Sequence, residues 1–94
     1  MEKSEILQKI EALKEVLKKA DDLLCELHEV AVEKVCDSRD ALFDALDDSK
    51  DEEARIKFIR LRQENAYYEN LVSKLENAGY QLSKGVIENI DKIN

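Results

Sequence analysis

The chain has no proline and no tryptophan, only two glycines, two cysteines and one histidine, and no long apolar run. Each scarcity removes possibilities. Without proline, and with glycine confined to Gly79 and Gly85, little interrupts helix over most of the length. No run approaches the ~20 apolar residues of a membrane span, so no transmembrane helix is expected. The opening MEKSEILQKIEALK is charged throughout and has no apolar core of a secretory leader. Cys25 and Cys36 stand eleven residues apart. On one helix that is roughly 16 Å at ~1.5 Å per residue, beyond the ~7 Å between Cα atoms that a disulfide tolerates. Two free thiols fit a reducing compartment, and a cytoplasmic protein is expected.

What is present is helical material. Of 94 residues, 44% are apolar and 39% charged, against about a quarter charged in an ordinary domain. The length suits one domain spanning residues 1–94. The net charge is −7, which argues against direct binding to nucleic-acid phosphates but not against a basic protein partner. Most of that charge is local. Between Asp37 and Glu53 eight acids face only Arg39 and Lys50, a local net of −6.

Apolar residues at Ile6, Ile10, Leu13, Leu17, Ala20, Leu24, Leu27 and Ala31 alternate steps of four and three. This is a heptad seam with Ile10 at a and Ile6 at d. Val16, Leu23 and Val30 add a row at g, making a stripe wider than one neighbouring helix needs. Past Ala31 the row slips, with Lys34 at the next d and apolar residues resuming at Val35, Leu42, Ala45 and Leu46. Either a stutter in one helix or a new short helix capped by Ser38 accounts for the slip.

Ser49 with Glu52 forms an S-x-x-E capping box, and acids 51–53 suit the positive end of a helix starting near Lys50. From there Ala54, Phe58, Leu61, Asn65, Tyr68, Val72, Leu75, Gly79, Leu82 and Val86 repeat the heptad step. Gly79 in NAGY reads as the residue ending a helix, with one glycine-tolerant long helix as the alternative. The expected fold is all-α, an antiparallel helical hairpin with heptad seams. Arm one covers about 4–47, a turn about 47–50, and arm two about 50–93 with a possible break at 77–82. Its wide stripes would be covered in a four-helix bundle, either by dimerisation, which is favoured, or by fold-back of broken helices.

Little here points to catalysis. In CELHEVAVEKVC, Cys25 and His28 share a face, but no second ligand pair completes a zinc site. Ala31 and Val32 stand where a phosphotransfer domain carries its Lys-Gly pair, so His28 reads as a residue flanking the seam. Glu26-x-x-Glu29 with Asp44-x-x-Asp47 vaguely resembles the magnesium-holding acids of all-helical nucleotide pyrophosphohydrolases. Glu26 and Glu29 nevertheless fall at c and f, away from the seam. No metal site, cofactor or catalytic residue is expected.

The stronger candidates are surfaces. Asp37, Asp40, Asp44, Asp48 and Asp51 form an acidic stripe, either for a basic protein partner or for ion pairs with Arg55, Lys57, Arg60 and Arg62 of the returning arm. Ile56 and Ile59 lie off the seam as the edge of an interface. Asn65, a polar residue at a beside Tyr68, reads either as a solvated layer or local hydrogen bond or as a register or partner-choice element. With Lys34 at the slip in arm one it marks the least apolar layer. The expected function is therefore a non-enzymatic helical protein–protein interaction module: an adaptor, small chaperone, inhibitor or immunity-type binder. A metal-dependent nucleotide hydrolase and a coiled-coil spacer are the alternatives.

Overall fold

The computed structural model describes residues 2–46 and 51–93. Helix α1 runs unbroken over Lys3–Leu46, and α2 over Glu52–Tyr80. A π-helical stretch, Gln81–Ile87, then leads into a last turn, α3, over Glu88–Asp91. Tyr80, Ile87 and Glu88 all keep right-handed helical backbone angles, so the chain stays helical from Glu52 to Asp91. Among the described residues the fold is all-α, with no strand. No helix there is long and apolar enough to cross a membrane.

The second arm begins two residues later than the spacing predicts. Asp51 is its cap: Oδ1 accepts the Ala54 backbone N–H at 2.7 Å, satisfying one of the donors that a helix start leaves unpaired. The expected box residue Ser49 and the turn at 47–50 lie outside the described residues.

The described contacts form two compact units. One is His28–Lys74; the other joins Met1–Leu27 to Leu75–Asn94. Within His28–Lys74, Lys34 and Asp37 share a shallow cleft with Glu64 and Tyr68, and Ala45 shares another with Lys57. Numbers rise on α1 as they fall on α2, so the two helices run antiparallel here. The contact face of α1 in this unit carries His28, Ala31, Val35, Ser38, Leu42 and Ala45, half-buried or buried at steps of three and four. No stutter occurs. Ser38 sits inside α1 and does not cap a new helix: its Oγ donates to the Val35 carbonyl at 3.1 Å, a bond a mid-helix serine makes to the preceding turn. From α2 come Ala54, Phe58, Leu61, Asn65, Tyr68, Leu71 and Val72.

In the other unit, Ile10, Lys14, Leu17, Ala20, Asp21 and Leu24 of α1 are half-buried, as are Leu75, Gly79, Leu82, Ser83, Ile87 and Ile90 of the second arm. Gly79 does not end the helix. Its φ is not positive, as a glycine terminator requires, and the backbone continues through it. The expected break at 77–82 is instead the π-helical stretch. Its wider turn accommodates an extra residue, and the half-buried row passes from Leu82 through the adjacent Ser83 to Ile87. Val86, expected on the seam, is 42% exposed.

Candidate interaction surfaces

A polar layer occupies the middle of His28–Lys74. Asn65 and Ser38 are both buried, on helices α2 and α1. Asn65 Nδ2 donates to Ser38 Oγ at 2.9 Å and to the Val35 carbonyl at 3.3 Å, using both amide hydrogens across the helix pair. No buried side-chain polar atom among the described residues lacks a partner. Asn65 therefore sits opposite Ser38, while Lys34 is exposed. Sliding α2 by a turn would leave the amide without its hydroxyl. Tyr68, one turn on, is half-buried and meets the exposed Tyr67 edge-to-face, with centroids 5.3 Å apart.

Of the acidic stripe, Asp37, Asp40 and Asp44 are exposed on α1, while Asp48 lies outside the described residues. Asp51 belongs to the start of α2, where it caps the helix. No ion pair among the described residues joins the α1 acids to Arg55, Lys57, Arg60 or Arg62. Arg39 instead pairs with Glu69 at 3.0 Å between the two helices. Both partners are about half exposed, and such pairs stabilise by only ~0–1 kcal/mol. Ile56 and Ile59 are 53% and 54% exposed; Ile56 lines an open cleft with Glu53, Lys57 and Arg60.

The residues weighed for chemistry are spread along α1. Glu26 and Glu29 are exposed, and Asp47 lies outside the described residues. Cys25 and Cys36 are exposed free thiols. Among the described residues no three His, Cys, Asp or Glu side chains converge to hold a metal ion. His28 is half-buried in the e row, which is part of the contact face rather than its flank.

The spacing did not anticipate which rows of the wide α1 stripe would be covered. In Met1–Leu27 the half-buried rows are a (Ile10, Leu17, Leu24) and e (Lys14, Asp21). Rows d and g stay mostly open: Leu13 is 43% exposed, Val16 62%, Leu23 64% and Leu27 49%. Polar e-row side chains can take the covered side because long stems lie along apolar surface while their charged ends reach water. The visible signal was the stripe's width, which exceeded the needs of one neighbour.

Compared with known proteins, the chain matches no family model, no curated protein and no solved structure.

Proposed function

We propose that this chain is a non-enzymatic helical interaction module, an adaptor, small chaperone, inhibitor or immunity-type binder, that works by covering its open helix faces with protein. The observation that supports this is its pattern of burial. Among the described residues the only fully buried apolar side chain is Ala31, and no large side chain is fully buried. Ordering each residue costs about 1–2 kcal/mol of backbone entropy, which burial must offset. Half-covered leucines and valines recover only part of their transfer free energy. Assembly into a four-helix bundle by pairing of two hairpins supplies the missing burial. Exposed Asp37, Asp40 and Asp44 then bias partner choice toward basic surfaces, since charge complementarity acts on encounter and specificity. Exposed free thiols at Cys25 and Cys36 suit a reducing compartment such as the cytoplasm.

The test is capture of tagged protein from its own source, with and without EDTA, beside the variant Asp40→Lys/Asp44→Lys. A stoichiometric partner that survives chelator and is lost in the variant supports the reading. Capture of nothing, together with stabilisation by Mg²⁺ or Mn²⁺ and nucleotide hydrolysis, would replace it with the carboxylate chemistry.

A further inference from the structure

The open d/g face of α1 in the unit formed by Met1–Leu27 with Leu75–Asn94 carries its own charge pattern. Exposed Val16, Leu23 and Leu27, with half-buried Ala20 between the first two, alternate steps of four and three, as a helix-pairing seam does. Beside them on the c row stand Lys19 and Glu26, one heptad apart and both exposed. Among the described residues neither has an ion-pair partner within the chain. On the other side of the face lies the a row, which the chain's own contact already half covers.

We propose that this face docks on the same face of a second copy of the chain, running antiparallel, so that two hairpins close into a four-helix dimer. The proposal rests on the interaction-module reading and names its first partner. A two-fold axis between Ala20 and Leu23 sets Val16 of one copy against Leu27 of the other and Ala20 against Leu23, each contact occurring twice. In that register Lys19 of each copy meets Glu26 of the other, giving both charges the partner they lack. A parallel in-register pair fails on the same residues. The c-row charges would face the a row of the other helix instead of each other.

Sedimentation velocity and light scattering on the full chain decide it. The wild type is expected at twice 10.8 kDa. Leu23→Glu, which alters a side chain 64% exposed within the chain, is expected at single-copy mass with its helical circular dichroism retained. Lys19→Glu is expected to raise the dimer dissociation constant about tenfold, and Lys19→Glu/Glu26→Lys to restore it. Restoration is diagnostic, because swapping the two charges rescues only an arrangement that brings them together. A wild type that stays at single-copy mass overturns the proposal, while the broader reading still stands or falls on the capture experiment, whose variant lies elsewhere on α1. A dimer indifferent to Leu23→Glu overturns the face. A charge swap that fails to restore Lys19→Glu overturns the antiparallel register.

Discussion

The units His28–Lys74 and Met1–Leu27 with Leu75–Asn94 draw on the same two helical arms, yet differ in what they bury. His28–Lys74 contains the buried residues among those described, Ala31, Ser38 and Asn65. Two of the three are polar, and they bond to each other. The other unit has no buried residue among those described, but a row of half-covered and open aliphatic side chains. Apolar contacts are non-directional and tolerate sliding by a heptad; an amide bonded to one hydroxyl does not. One unit thus holds a bonded polar layer between its helices. The other has only half-covered and open side chains among those described.

The largest expected effect breaks that distinction at its source. Asn65→Asp places a carboxylate against the Val35 carbonyl in a buried layer, and urea unfolding is expected to show a loss of about 3 kcal/mol or more. A loss under about 1 kcal/mol would mean that the layer admits water and does not control alignment. Next in size is Ser38→Ala, expected to cost about 1–3 kcal/mol by removing the hydroxyl that Asn65 meets. Adding Asn65→Leu to it should recover most of that loss, because replacing both partners by apolar groups leaves nothing polar unpaired. If the double variant is instead worse than either single one, space rather than hydrogen bonding governs the layer.

These two residues also mark how far the sequence could be followed. The two arms were legible because glycine and proline are nearly absent and the heptad step persists, and the acids around position 51 located the second helix start to within two residues. Asn65 stood out as a polar intruder in an apolar row. Its partner did not, because Ser38 fits a helix cap and a mid-helix bond equally well by local rules, and only a residue far away in sequence decides between them. The choice of a and e over a and d as the covered rows has the same origin: a stripe three rows wide does not state which neighbour takes which edge. The π-helical stretch was hidden because Val86 and Ile87 are adjacent, and both stand at helical spacing from Ile90.

That stretch supplies a smaller test on the less specified unit. If Gln81–Ile87 widens to absorb one extra residue, deleting Gly85 should let an ordinary α-turn carry Leu82 to Ile87 with both still half-buried. Gly85 has open space around it and no side chain to lose. Removing a helical glycine is expected to leave stability unchanged or raise it by about 1 kcal/mol in thermal unfolding. Deleting Asn77 instead shifts the residues between it and the wide turn, Gly79 among them, off the contact row, and should destabilise. Equal damage from both deletions would mean that the wide turn is held by something other than register.

The smallest effect lies at the end of the same arm. Lys84 Nζ donates to Glu88 Oε1 at 2.9 Å, one turn along the exposed surface. That hydrogen bond, reinforced by the charge of Lys84 and then of Lys92, holds the Glu88 carboxyl below the ordinary carboxylate range. A depressed folded value means the contribution is present above the ordinary glutamate pKa and is lost as pH falls through the folded one. Carbon-detected NMR titration should therefore find Glu88 titrating below an unpaired glutamate, and Lys84→Ala should move it up with little change in unfolding midpoint. Because both side chains are about half exposed on the surface, salt should erase most of the difference. A Glu88 value that ignores both Lys84→Ala and salt would mean that the side-chain pair does not act on the carboxyl, and the carbonyl end of the helix could not replace it, because that end raises a carboxyl pKa.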